Sequence, residues 1–146
     1  MNVIAFLADA AQEVGGKLYI LGGGWTFIGP DPSPSALVLM IHVDWHEANQ
    51  KLALRAELQD EDGNLARVGQ GNLVAEGVLE VGRPPGHPQG VGFTVPIAMS
   101  FPPLQLEPGK RFAWVVTIDG KTEPHWRVAF STRPNEQGPA VTRPNQ

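Results

Sequence analysis

The stretch that decides the fold is Lys51-Leu-Ala-Leu-Arg-Ala-Glu-Leu-Gln59. Apolar side chains occupy every second position, and charged or polar side chains fill most of the positions between them. In an extended chain successive side chains point to opposite faces, so this alternation predicts a strand with one buried face and one face in water. The stretch therefore sets the expectation of a β protein.

The same period of two returns in three later stretches, residues 93–101, 110–118 and 126–132. The inward positions expected there are Phe93, Val95, Ile97, Met99, Phe101, Phe112, Trp114, Val116, Ile118, Trp126, Val128 and Phe130. Weaker strand candidates are residues 2–8, 17–21 and 73–81, with a short one at 65–68. Many short strands separated by turns are typical of a β-sandwich.

Two strand candidates carry positional information. Residues 36–43 are almost continuously apolar, which favours a central strand that is covered on both faces or meets another subunit on its outer face. Pro96 lacks the N–H that a ladder requires, so residues 93–101 are predicted to form an edge strand or to hold a bulge.

The last hairpin needs an irregular turn. A two-residue loop at Asp119-Gly120 would set Trp114 opposite His125 and so bring a buried face against a polar one. Because a slip of one residue flips a whole face, we expect a three-residue turn or a bulge near Pro124, with Trp114 opposite Trp126.

Helix signals are confined to residues 44–49, where Asp44 and Glu47 have the spacing of a capping box. We expect one short helix there at most. Residues 133–146 are polar and rich in proline, and we expect a disordered tail. The fold class predicted is therefore all-β: one antiparallel two-layer β-sandwich over residues 1–132, with roughly seven to nine strands and Ig-like or jelly-roll-like connections.

Composition excludes several functions. The 146 residues contain no cysteine, which removes disulfides, thiolate metal sites and cysteine nucleophiles. A net charge of −4 argues against a nucleic-acid surface. The first residues lack a basic region, and their apolar run ends at Asp9. No stretch approaches the roughly 20 apolar residues of a membrane helix, so the expected location is cytoplasmic.

His42 and His46 are the main candidates for a metal or catalytic site, with Asp44 between them. Two histidines four residues apart can share a zinc ion when both lie on one helix. Here His42 falls in a predicted strand and His46 in the following turn, so the spacing loses that meaning. We expect no metal, no cofactor and no catalytic residue.

Gly22-Gly23-Gly24 follows a predicted strand, as a phosphate-binding loop would, but more strand follows instead of a helix. We therefore expect a bulge or a close backbone approach at these glycines. Of the four tryptophans, Trp114 and Trp126 fit the core, while Trp25 and Trp45 are candidates for ligand or partner contacts. Arg83, isolated in a proline-rich loop, is another candidate contact, and so are His42 and His46.

Several segments together resemble a known family. They are Phe6-Leu-Ala-Asp-Ala-Ala-Gln12, Gly16-Lys-Leu-Tyr-Ile-Leu-Gly-Gly-Gly-Trp25, Val81-Gly-Arg-Pro-Pro-Gly86 and a closing Pro108-Gly…Trp114…Ile118-Asp-Gly120…Trp126…Phe130. This pattern is similar to a family of small actinobacterial proteins known only as a domain of unknown function. The resemblance covers about residues 3–134 and implies a small, cytoplasmic, mostly β protein, with no site residues to carry over.

Three functions are open at this point. The first is non-enzymatic protein–protein association, expected to be self-association into a homo-oligomer, through residues 36–43 or an unpaired edge of the first strand. The second is a small-ligand module with a pocket between the sheets or under the proline-rich loops, near Trp25 and Trp45. The third is a hydrolase or metal enzyme built on His42, Asp44 and His46.

Overall fold

The computed structural model describes residues 1–135, and about 57% of the residues lie in strands. These residues form eleven strands and one short 3₁₀ turn at Trp45–Glu47. The strands are β1 (Asn2–Val14), β2 (Lys17–Gly23), β3 (Phe27–Ile28), β4 (Ser35–Val43), β5 (Lys51–Asp60), β6 (Arg67–Val68), β7 (Gly71–Asn72), β8 (Val74–Glu80), β9 (Phe93–Phe101), β10 (Arg111–Ile118) and β11 (Arg127–Thr132).

The strands build two main sheets in a sandwich-like arrangement, as the sequence predicted. The first sheet has the order β2-β1-β4-β9, and the second has the order β3-β11-β10-β5-β8. The sequence left the connections open between Ig-like and jelly-roll-like forms, and the structure now defines the strand order of each sheet. The strands β6 and β7 form a separate small ribbon.

One apolar core joins the two sheets. Its fully buried members include Leu7, Leu39, Ile41, Leu58, Trp114 and Val116. The ring of Phe101 in β9 stacks on Trp114 in β10 with 4.7 Å between centroids, which ties one sheet to the other. Trp126 is also buried, so both tryptophans assigned to the core from their alternation lie there.

The strand count is higher than the seven to nine expected. Each of the nine sequence candidates overlaps a strand, and the two additional ones are β3 and β7. Both have two residues, which is too short for an alternating pattern to register. A second difference is that β3 pairs with β11 in parallel, so the second sheet is not wholly antiparallel.

The two halves of β1 pair on different strands. Residues Asn2–Ala8 pair with β4, and residues Ala8–Val14 pair with β2. Ala8 is the one residue of β1 found in both pairings. The expectation of an unpaired edge at the first strand holds for parts of β1, because residues 2–7 pair with β4 alone and residues 10–14 with β2 alone, while β2 forms the outer edge of the sheet.

The apolar strand β4 is central, between β1 and β9. Its outward-facing Ala36 and Val38 are completely buried by this chain alone, whereas Met40 is half-buried and His42 is exposed. The sequence offered two explanations for this apolar strand, coverage within the chain and contact with another subunit. Coverage within the chain accounts for most of it. Pro96 lies on β9, the opposite edge of the sheet, which confirms the edge position predicted for it.

In the final hairpin, the insertion that brings the two apolar faces together is larger than expected. Asp119 and Gly120 make a two-residue turn with φ of 49° and 76°, and Ile118 pairs with Lys121. Beyond it, Trp114 lies opposite Val128, so the expected pairing with Trp126 is wrong. The odd number of inserted residues near Pro124 still brings apolar faces together, as the sequence required.

The short helix predicted at 44–49 is the 3₁₀ turn. Its Glu47 carboxylate accepts the Asp44 backbone N–H at 3.0 Å, in the manner of a capping box. Of the tail, Arg133 still donates its backbone N–H to the carbonyl of Ile28 at 2.8 Å. The disorder was predicted for residues 133–146, and residues 136–146 of that range lie outside the described residues. Within the described part, no helix is long and apolar enough to cross a membrane.

Candidate functional site

The sequence-predicted site residues lie at opposite ends of β4. His42, Trp45, His46 and Arg83 gather at its Val43 end, while Trp25 lies at its Ser35 end. The structure therefore brings four of the five together and leaves the fifth apart.

Trp45 forms the centre of an aromatic stack at the first end. The Arg83 guanidinium lies 4.3 Å from the centroid of its ring and donates to the Trp45 carbonyl at 2.6 Å. His87 and Phe93, which sequence reasoning did not connect, stack on each other at 4.1 Å and lie parallel to Trp45 at about 6 Å. Such cation–π and stacking contacts stabilise a loop. The stack anchors the proline-rich segment after β8 and leaves Trp45 half-buried.

A polar cluster adjoins this stack. The ligating atoms of Asp44, His46 and Glu47 lie within 4.8 Å of one another, and His42 Nε2 is 3.8 Å from Asp44 Oδ1. Both carboxylates also contact the α-amino group of Met1, at 3.2 Å and 3.0 Å. Hydrogen bonding from this ammonium group lowers the pKa of Asp44. The carboxylates thus already have a cationic partner, so the cluster has a structural explanation.

Trp25 borders a small cavity between the sheets, under the loop of residues 29–34. Its indole nitrogen is buried and has no hydrogen-bond partner among residues 1–135. The cavity measures about 30 Å³, enough for one or two water molecules. Ligand sites measure roughly 300–1,000 Å³, so this interior space is far too small for a metabolite.

An open groove continues outward from Trp25. It measures about 630 Å³ and is lined by polar groups that include Asp9, Asp31 and Arg133. Gly22 forms part of its wall with φ of 59°, and a Cβ added there would overlap the Asp9 carboxylate. The close backbone approach predicted for the three glycines is confirmed at Gly22.

The edge strand β2 is the feature that sequence reasoning missed. Six of its seven residues are exposed and Leu18 is half-buried. Tyr19 is 58% exposed and Leu21 72% exposed, and Lys17 is the one charged residue of the strand. A strand edge presents unpaired N–H and C=O groups, so β2 offers both a hydrogen-bonding template and apolar side chains.

The other outer strands are protected. Strand β9 carries Pro96, and β8 carries Glu76 and Glu80. At the remaining edge, β3 has only two residues. Proline, charge and shortness are the usual devices against edge-to-edge pairing. In the described part of the two main sheets, β2 is the edge strand that has more than two residues but neither proline nor glutamate, and its single charge, Lys17, lies at its first position.

The fold and the candidate site together define the protein as an all-β sandwich with one exposed, apolar edge strand, β2. A family model with the description "family of unknown function (DUF6941)" matches residues 3–130, and the chain belongs to that family. No curated protein and no solved structure matches the chain.

Proposed function

We propose that this protein works by associating with other protein chains, first of all with a second copy of itself, and that it is not an enzyme. The observation that carries the proposal is the bare edge of β2, with Tyr19 and Leu21 facing water. Addition of a strand to an exposed edge is a common mode of protein recognition. A cytoplasmic location and an actinobacterial origin belong to the proposal as predictions.

The distribution of apolar surface supports this choice of interface. Among residues 1–135, nine large apolar side chains are exposed, and five of them lie on β1 and β2. They are Ile4, Val14, Tyr19, Ile20 and Leu21. By contrast, β4, the strand whose composition first suggested a subunit contact, is mostly covered by its own chain. The contact surface therefore belongs on the β1–β2 hairpin.

Several side chains that could take part in catalysis already have structural partners, which supports a non-enzymatic function. Asp44 and Glu47 contact an ammonium group, His87 belongs to the stack, and His125 Nε2 lies 2.6 Å from Asn2 Oδ1. In our proposal, the predicted site residues at the Val43 end of β4, including Arg83, have a structural role: they shape the proline-rich loop after β8.

Light scattering coupled to size-exclusion chromatography tests the proposal, over about 1 to 500 μM protein. We expect a dimer at high concentration that dissociates on dilution, because a short strand pair makes a small interface. Leu21→Lys should weaken the dimer at least about tenfold, since an unpaired ammonium group would be buried.

The matched control is Val78→Lys. Val78 lies on the edge strand β8 and is 70% exposed, nearly the same as Leu21. The proposal expects no change in association for this variant. A wild-type chain that stays monomeric over the whole range overturns the proposal, as does equal weakening by the two lysines.

The open groove beside Trp25 supports a second candidate, a small-ligand binding module. Its volume of about 630 Å³ lies within the usual range for ligand sites. Tryptophan fluorescence measured against a panel of metabolites tests it, with Trp25→Phe as the variant that should lose the signal. A response that survives in Trp25→Phe would contradict this assignment.

A further inference from the structure

We propose that two copies of the chain pair their β2 strands antiparallel about a twofold axis at Ile20, which sets Tyr19 of each copy opposite Leu21 of the other. The inference rests on the self-association proposed above and gives it a register. It commits to a second copy of this chain as the occupant of the edge.

The length of β2 favours this register. The strand has seven residues, Lys17–Gly23, and Ile20 is its middle residue. A twofold dimer pairs the strand with itself in reverse, as an isologous contact requires. Only an axis at Ile20 aligns the whole strand with itself; Gly22, with φ of 59°, departs from the extended ladder, and each shift of the axis leaves end residues without opposite residues.

The side chains favour the same register. Tyr19 and Leu21 are each more than half exposed, so they have apolar surface to bury. An aromatic side chain opposite an aliphatic one is a stabilising cross-strand pair, and the twofold axis forms it twice. A shift by two residues would set Leu21 opposite Lys17 in one direction and Tyr19 opposite Gly23 in the other.

Charges agree as well. With the axis at Ile20, Lys17 of one copy lies opposite Gly23 of the other. This pairing places the two Lys17 ammonium groups at opposite ends of the contact, so the only charges on the two strands do not face each other. The dimer joins two four-stranded sheets into one continuous sheet of eight strands.

The absence of cysteine from the sequence makes disulfide cross-linking a direct test. In an antiparallel pair, opposite Cα atoms are about 4.5 or 5.5 Å apart, within the roughly 4.4–6.8 Å that a disulfide spans. In the proposed register, the cysteine of the Ile20→Cys variant lies opposite the same cysteine of the second copy. We expect this variant to form a covalent dimer under mild oxidation at a concentration where the wild type is dimeric.

Variants beside the axis give the register. Cysteines at position 19 in both copies would be about 8 Å apart, too far for a disulfide. Tyr19→Cys alone and Leu21→Cys alone should therefore stay largely uncross-linked, whereas an equimolar mixture of the two should form the mixed covalent dimer. The mixture also guards against poor folding of Ile20→Cys, because both of its positions are exposed.

The matched control is Val78→Cys on the β8 edge, which should give only the background of random collision. A wild type that is dimeric by light scattering, with no cross-link at position 20 and none in the mixture, overturns the register and leaves self-association standing. A monomer at every concentration overturns both proposals together. A covalent dimer for Ile4→Cys but not for Ile20→Cys would place the contact on the outer face of the sheet.

Discussion

Strands β2 and β8 are both edges, and both expose a large aliphatic side chain to nearly the same degree. Leu21 on β2 is 72% exposed, and Val78 on β8 is 70% exposed. Their neighbours two positions away differ, because Val78 has Glu76 and Glu80 there, whereas Leu21 has Tyr19 and Gly23. The exposure of one apolar residue therefore does not define an interaction surface. The charge around it decides whether a second strand can approach.

The largest expected difference in stability between the two edges comes from replacing one glycine on each edge strand. Gly22 on β2 has φ of 59°, and its Cα lies against the Asp9 carboxylate, whereas a Cβ on Gly77 of β8 would meet nothing within 4 Å. Gly22→Ala should cost about 1–2 kcal/mol, because alanine is strained at that φ. Gly77→Ala should stabilise by about 0.5 kcal/mol, because glycine weakens a strand.

Urea unfolding of both variants measures these differences. Gly24→Ala serves as the control, since Gly24 also has a positive φ but a Cβ there would meet nothing within 4 Å, so this variant should lose less than Gly22→Ala. Equal effects of alanine at the two glycines would show that the two edges have the same backbone requirements, against the structure.

The second prediction removes the protection of the opposite edge of the same sheet. Pro96→Val on β9 restores a backbone N–H, worth about 1 kcal/mol in a new hydrogen bond. With both edges free to pair, we expect species larger than a dimer in light scattering. Thr94→Val on the same strand is the control and should leave the size distribution unchanged. A Pro96→Val protein with wild-type size would show that proline does not protect β9.

The smallest expected effect concerns the ion pairs beside β8. Arg55 Nη1 lies 2.6 Å from Glu76 Oε1 across the β5–β8 ladder, and Glu57 on the same face also binds the guanidinium. Hydrogen bonding to Glu57, with that to Glu76, raises the pKa of Arg55. Glu76→Gln should cost only about 0.2–1 kcal/mol, because exposed pairs are screened by water.

Thermal unfolding measures this loss, with Glu80→Gln as the control, whose carboxylate makes no ion pair within the described chain. The control should change stability less. A loss well above 1 kcal/mol for Glu76→Gln would mean that the carboxylate holds β8 in place as well as protecting it.

The sequence is most informative where the period of two runs for seven or more residues. For β5 the alternation predicts Leu52, Leu54 and Leu58 as buried, and they are. The register of the last hairpin was less predictable, because the need to match faces requires an odd insertion but leaves its size open. The two-residue strands β3 and β7 are too short to show a period; β3 lies in the stretch predicted as further strand after the three glycines, whereas only the assembled fold reveals β7.

The candidate site was harder to predict than the fold for a different reason. Strand order depends on contacts distant in the sequence, and β2 has no residue that marks an edge in the way Pro96 marks β9. Residues 17–21 were a weak strand candidate, and nothing in them shows that the neighbour of β2 is β1 on one side and water on the other. The stack of His87 on Phe93 was missed similarly, since it forms only when the loop folds back on β9.

The double pairing of Ala8 separates the β1–β2 hairpin energetically from the sandwich. Since β1 binds β4 with one half and β2 with the other, the hairpin can open locally while Asn2–Ala8 remains in place. Amide protons of β2 should therefore exchange with solvent far faster than those of β4. A partner that captures β2 would slow this exchange and so make a labile part of the sheet persistent.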